Sequence, residues 1–205
     1  WSVYIFNRGI ALSIFPLLIA AGMTLGLLGD LFMAGLLPTP DRTLAGMAAF
    51  GLGHILYIGA GLLVRLSLGL LADPVSIGAW VAWLLVGVTG WYMLVMRGQK
   101  PSAFHFVALL YALLLASTAG LATGLAMRLS PFIPFALGAA LFFFSDMLIA
   151  AGLFSRRASR LGDNLVWLTY GPGQMLIVFS AVTVQRWLLP VHLTHVYFSA
   201  ILPQP

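Results

Sequence analysis

Asp30 and Asp146 sit inside otherwise apolar runs, MTLGLLGDLFMAGLL and ALFFFSDMLIAAGLF, where a carboxyl group is conspicuous. An ionisable side chain at membrane depth costs roughly 2.5–3.5 kcal/mol on insertion scales, so it is seldom idle. The chain has five acidic residues, all aspartate, and the other three (Asp41, Asp73 and Asp163) fall in short polar gaps. Two carboxyl groups in apolar segments suggest proton chemistry, ion handling or a buried polar network. His54, Tyr57, Ser145, Tyr170 and Gln174 are further polar groups within such segments.

The elements that must position these groups are transmembrane helices. The chain is 61% hydrophobic and 7% charged, with a mean hydropathy of +1.04. A soluble domain of 205 residues cannot hide that much apolar surface, so the bilayer is its solvent. The expected fold class is all-α, a polytopic transmembrane helical bundle. Runs of about 20 apolar residues bounded by charge or proline give six spans: A at about 10–36, B about 43–64, C about 74–96, D about 103–127, E about 131–154 and F about 163–188. Loops this short join antiparallel neighbours. Residues 1–189 are expected to form one bundle domain. Residues 190–205 form an apolar tail, too short to span, that lies along the interface or docks on the bundle. Because the chain begins at Trp1 rather than Met, a natural start and a further helix or two are expected to precede it.

The net charge of +5 comes from Arg and Lys in the connections, which fits topogenesis and anionic lipid headgroups. No basic stripe with interleaved aromatics exists, so nucleic acid is not an expected partner. Loops A–B, C–D and E–F hold Arg42, Arg97, Lys100, Arg156, Arg157 and Arg160, against Arg8, Arg65, Arg128 and Arg186 on the opposite side. Six against four makes the first side cytoplasmic, in a bacterial inner membrane or its equivalent. The absence of cysteine excludes disulfides, thiolate metal sites and Cys nucleophiles. His192 and His195 stand three apart in the tail, but two histidines without further ligands imply no metal. Gly22 with Gly26, and Gly120 with Gly124, have the spacing that lets helix backbones approach closely in lipid.

Depth brings the polar groups together. Counting 1.5 Å per residue from the helix ends on the Arg-rich side, Asp30 lies roughly 9 Å in, Tyr170 roughly 10 Å, Asp146 roughly 12 Å, and His54 and Gln174 roughly 17 Å. Five side chains on four helices therefore share one layer, and Ser145 beside Asp146 reaches toward it. His54 and Tyr57 share a helix face with Phe50, while Tyr170 and Gln174 are one turn apart. Gly171-Pro172-Gly173 lies between those two and is expected to kink helix F and free a carbonyl beside a cavity lined by Tyr170, Gln174 and both aspartates.

Each residue also has a purely structural explanation. Asp30 caps a helix end if Gly29 breaks helix A. His54 satisfies a neighbouring helix by one hydrogen bond. Asp146 has a structural partner, and Tyr170 and Gln174 tie helices together. His105, near a helix start beside loop charges, reads as interfacial.

At these residues the chain resembles the YhhN-type lysoplasmalogenase family of polytopic membrane proteins. GLLGDLFM around Asp30 is similar to the family's Gly-Asp helix, and AFGLGHILYI to its His-x-x-Tyr helix. LGAALFFFSDMLIA resembles its Gly-Ala…Phe…Ser-Asp signature, and TYGPGQMLIV its closing Tyr…Gln-x-Leu-Ile helix. The four segments occur in the family's order over Gly22–Val178. Gly171 and Gly173 depart from its pattern, which has a second aromatic after the tyrosine and alanine before the glutamine. The family's usual bundle has about eight helices, and its leading segments, with a Lys-Pro stretch, are not in this sequence.

The resemblance implies hydrolysis of the vinyl-ether bond of a lysoplasmalogen to a fatty aldehyde and glycerophospho-ethanolamine or -choline, without metal or cofactor. Enol ethers hydrolyse by protonation at carbon, which gives an oxocarbenium ion that water captures before the hemiacetal collapses. That chemistry needs one carboxylic acid and one carboxylate, and two carboxyls sharing a site do not ionise together. By the resemblance, Asp30 and Asp146 divide these roles in an order the sequence leaves open. His54 orients water or relays protons, and Tyr57, Ser145, Tyr170 and Gln174 bind substrate. Lysophospholipid and membrane lipids are the expected partners. Two other readings stand beside this one: a non-catalytic, lipid-binding accessory subunit associated with other membrane subunits, and a proton-coupled transporter with an Asp/His relay.

Overall fold

Residues that cannot continue a helix build each turn between helices. Gly35, with φ of 72°, takes the left-handed conformation that ends the first helix, and Gly69 does the same for the second with φ of 69°. The Asp41 side chain then caps the next helix by accepting from Leu44 N at 2.9 Å. Asp73 likewise accepts from Ser76 N at 2.9 Å, with Pro74 at the first helical position.

The computed structural model describes the backbone of residues 2–155 and 160–201, and the side chains of residues 11, 13–154 and 164–187. The elements are α1 (Ser2–Met33), α2 (Arg42–Ser67), α3 (Pro74–Trp91) continued by a π-helical turn (Tyr92–Met96), α4 (Ala103–Ala126), α5 (Ile133–Ser155) entered through a 3₁₀ turn (Ser130–Phe132), and α6 (Arg160–Ile201). Six helices among the described residues are long and apolar enough to cross a membrane. Leu17, Leu85, Leu110, Leu168 and Met175 project from them, each more than 60% exposed, as side chains that face lipid do. The protein is a multi-pass membrane protein with a helical-bundle fold.

Sequential helices pack in pairs, α1 on α2, α3 on α4 and α5 on α6. Further contacts of α2 with α4, α4 with α5, and α6 with α1 close a ring of five helices, and α3 lies outside it against α4. Small residues make this possible. On α4, Ala112, Ala116, Ala119 and Ala122 are fully buried. A Cβ at Gly120 would meet the Trp80 backbone at 2.7 Å, and one at Gly124 the Ser76 backbone at 2.8 Å. Gly22 lies under the Tyr57 ring in the same way. Both expected glycine pairs are thus sites of close approach. Phe15 sits edge-on against both Phe132 and Phe135 at the far end of the core.

Two local features differ from expectation. Gly29 does not interrupt α1, which runs on to Met33, so Asp30 is a helical residue rather than a cap. The end of α3 winds into a π turn, for which YMLVM carries no local signal. Helix α6 runs through Gly171-Pro172-Gly173 and on to Ile201. Its glycine is used for contact: a Cβ on Gly138 of α5 would lie 2.7 Å from the Gly173 carbonyl oxygen. Pro172, lacking an N–H, still leaves the Leu168 carbonyl without its usual donor. The tail histidines, His192 and His195, lie outside the described side chains.

On the side of the bundle away from the Arg-rich loops, the Arg128 guanidinium pairs with Asp73 and holds its carboxyl well below the usual carboxylate range. A depressed folded-state pKa contributes stability above the ordinary value of about 4 and loses it as pH falls through the depressed one. Asp73→Asn should therefore lower the thermal midpoint at pH 7, with the gap to wild type closing in strong acid. A thermal scan at a series of pH values checks this.

Candidate active site

The half of the bundle nearest the α1–α2, α3–α4 and α5–α6 connections holds a cavity of about 510 Å³ to which all six helices contribute. Its walls are mostly apolar: Met33 at the end of α1 and Ala34 just after it, Met47 and Phe50 from α2, Trp91 with Val95 of the π turn, Leu153 and Phe154 from α5, and Val166 and Trp167 from α6. Besides Thr43 near the start of α2, four polar groups interrupt this lining, namely Asp30, Tyr111, Asp146 and Tyr170.

These four form two tyrosine–aspartate pairs, each joining two helices. The Tyr170 hydroxyl of α6 lies 2.8 Å from both carboxylate oxygens of Asp30 on α1. Gln174, one turn further along α6, donates its amide N–H to the Tyr170 oxygen at 3.0 Å. The Tyr111 hydroxyl of α4 donates to a single oxygen of Asp146 on α5. Rings of Phe50 and Phe142 pack edge-on or tilted against Tyr170, which fixes its ring plane. The Trp91 indole N–H donates to the His105 carbonyl at 2.8 Å, tying the end of α3 to the start of α4 at the cavity wall.

Asp30, Asp146 and Tyr170, anticipated from the sequence, all line the cavity, and Gln174 stands one hydrogen bond behind it. His54, Tyr57 and Ser145 do not reach it. His54 is 1% exposed, with Nδ1 2.9 Å from Thr118 Oγ1 and its ring against Phe142 and Tyr57. Tyr57 is buried over Gly22. Ser145 follows from helix geometry: neighbours on a helix point about 100° apart, so with Asp146 facing the cavity Ser145 faces packed protein and is fully buried. His105 sits at the first turn of α4, buried against Phe154, with Nδ1 2.6 Å from Ser102 Oγ.

Tyr111 was not anticipated. Tyrosine in LLYALLL reads as one more apolar ring, yet it stands eight residues from the start of α4, roughly 12 Å deep and level with Asp146. The depth count that grouped the other residues would have found it. Among the described residues no group of three or more His, Cys, Asp or Glu side chains is placed to hold a metal ion. The cavity brings together two carboxyl groups, each hydrogen-bonded by a phenol, at membrane depth.

Compared with known proteins, residues 3–181 match the sequence model of the YhhN family. No curated protein and no solved structure matches the chain significantly.

Proposed function

The chain belongs to the YhhN family, and from that premise we propose that it is an integral-membrane hydrolase that cleaves the vinyl-ether bond of lysoplasmalogens. The products are a fatty aldehyde and glycerophospho-ethanolamine or -choline. The observation that carries this reading is the pair of aspartates, each bound by a tyrosine from another helix, within one apolar cavity.

The hydrogen bonds suggest how the carboxyls divide the work. Tyr170 bridges both oxygens of Asp30, an arrangement suited to a carboxylate, which offers lone pairs on each. Tyr111 engages one oxygen of Asp146 and leaves the other to carry a proton toward the substrate. Asp146 gives that proton to the outer vinyl carbon, and positive charge develops on the inner carbon and the ether oxygen. The Asp30 carboxylate faces that charge and takes a proton from water as its oxygen bonds to the inner carbon. Asp30 then returns the proton to the glycerol oxygen while the hemiacetal O–H gives its own to Asp146. The carbon–oxygen bond breaks, and both carboxyls are reset. Trp91, Phe154 and Trp167 offer apolar surface to the alkenyl chain. The exposed cations Arg42, Arg97 and Lys100 stand on the same side of the bundle, which we take as cytoplasmic.

Aldehyde release from purified lysoplasmalogen by detergent-solubilised protein tests the reading. Activity should be bell-shaped in pH, falling in acid as the carboxylate is protonated and in base as the acid ionises. Tyr170→Phe should lower kcat by about 10- to 100-fold with little change in KM, since a hydrogen bond to a charged group is worth roughly 1.5–3 kcal/mol. Steady-state kinetics check this. Absence of aldehyde from wild type at every pH would sink the proposal.

A further inference from the structure

Behind the Tyr170–Asp30 pair, two buried acceptors meet no donor among the described residues. Gln174 is 9% exposed and its Nε2 is used by Tyr170, while its Oε1 accepts from no described group. For His54, the Thr118 hydroxyl has one proton, which goes to the Leu114 carbonyl at 3.1 Å. With the Thr118 proton assigned to that carbonyl, Thr118 accepts from His54, which assigns the imidazole proton to Nδ1 and leaves Nε2 as a lone pair. That Nε2 is buried and likewise has no partner among the described residues. Both unfilled groups are acceptors, so what each requires is a donor.

The two residues lie at one level of the bundle. Along α1, Gly29 lies against Phe50, Gly26 against the Gln174 amide and Gly22 against Tyr57. On α2, His54 falls between Phe50 and Tyr57, opposite the Gly26 level that Gln174 occupies. The His54 ring packs on Phe142, and the Phe142 ring on Tyr170. Leaving two such acceptors unpaired is costly, and water is the smallest donor with two protons to give.

We propose that Gln174 Oε1 and His54 Nε2 together form a water-binding site directly behind the Tyr170–Asp30 pair. The bound water donates one proton to each acceptor. Its bond to Gln174 fixes the amide so that its N–H points at Tyr170, whose hydroxyl in turn points at Asp30. All donors between the water and the carboxylate then run in one direction, and such chains reinforce each other. His54 and Gln174 are positioning residues in this scheme. Only the catalytic consequence rests on the vinyl-ether reading; the water site itself does not.

A density map of the wild-type protein that resolves ordered solvent should show a water within about 2.7–3.2 Å of both atoms. The map of Gln174→Leu should lack it. In kinetics, His54→Leu should reduce kcat about tenfold with KM unchanged, the worth of one oriented hydrogen bond, and His54→Gln, which restores an acceptor, should recover most of it. A wild-type map in which either acceptor meets a protein donor, or in which no water bridges the two, overturns the site whatever the activity. Bridging density in a protein that releases no aldehyde would leave the site standing and remove the hydrolase reading instead.

Discussion

Asp146→Asn and Asp30→Asn should each lower aldehyde release from a lysoplasmalogen by on the order of 10²–10⁴-fold, the usual contribution of a positioned acid or base. The protein should remain folded in both. Asparagine keeps the shape and an acceptor oxygen for Tyr111 or Tyr170, and removing an ionisable group from an apolar site tends to relieve the fold. A large fall in kcat with an unchanged or higher thermal midpoint is thus the signature of chemistry at these positions. Equal losses of activity and midpoint would instead mark the aspartates as structural ties between helices. The two variants should not add. Once either carboxyl is lost the proton circuit is broken, so the double variant should fall little below the weaker single one. Steady-state kinetics with a thermal scan on the same preparations reads all of this.

Gly138→Ala should destabilise the bundle strongly, while Gly171→Ala should be neutral or slightly stabilising. A Cβ on Gly138 lies 2.7 Å from the Gly173 carbonyl oxygen and 2.8 Å from Ile177 N. Both are backbone atoms that cannot rotate aside, so α5 and α6 must move apart, at a cost of about 1–3 kcal/mol. The movement would carry Tyr170, three residues before Gly173 on α6, away from Asp30 on α1. Activity should therefore fall with stability in this variant. A Cβ on Gly171 meets nothing within 4 Å, and alanine suits a helix better than glycine. Thermal midpoints in detergent for the two variants give the comparison. Equal effects would contradict the close contact of α5 with α6.

Much of this arrangement was legible in the sequence because charge in an apolar run is expensive. Asp30 and Asp146 stand out on that ground alone, and counting residues from the loops places them with Tyr170 at one depth. Depth is a single coordinate, however. It gives height along the bundle but not the direction in which a side chain points, which depends on how each helix is rotated against its neighbours. Gln174 and His54 were found at one level, and both lie behind the cavity wall rather than on it. Ser145 was assigned to the layer through its neighbour, although adjacent helical residues diverge. Tyr111 does not stand out by type, since tyrosine is at home in a core; its depth and its partner Asp146 mark its role. The Gly171-Pro172-Gly173 segment carries the expectation of a kink and a freed carbonyl in helix F. Its close contact with Gly138, about 35 residues away on α5, is one that no local pattern could reveal.

The most direct test of the central claim is hydrolysis of a lysoplasmalogen by the purified protein in deuterated water, with the aldehyde trapped as it forms and its α-carbon analysed. Protonation of the outer vinyl carbon by a solvent-exchanged carboxyl predicts one deuterium at that position in the product, and its formation should fail in Asp146→Asn. Aldehyde that carries no deuterium there, or no aldehyde from wild type, would contradict the account.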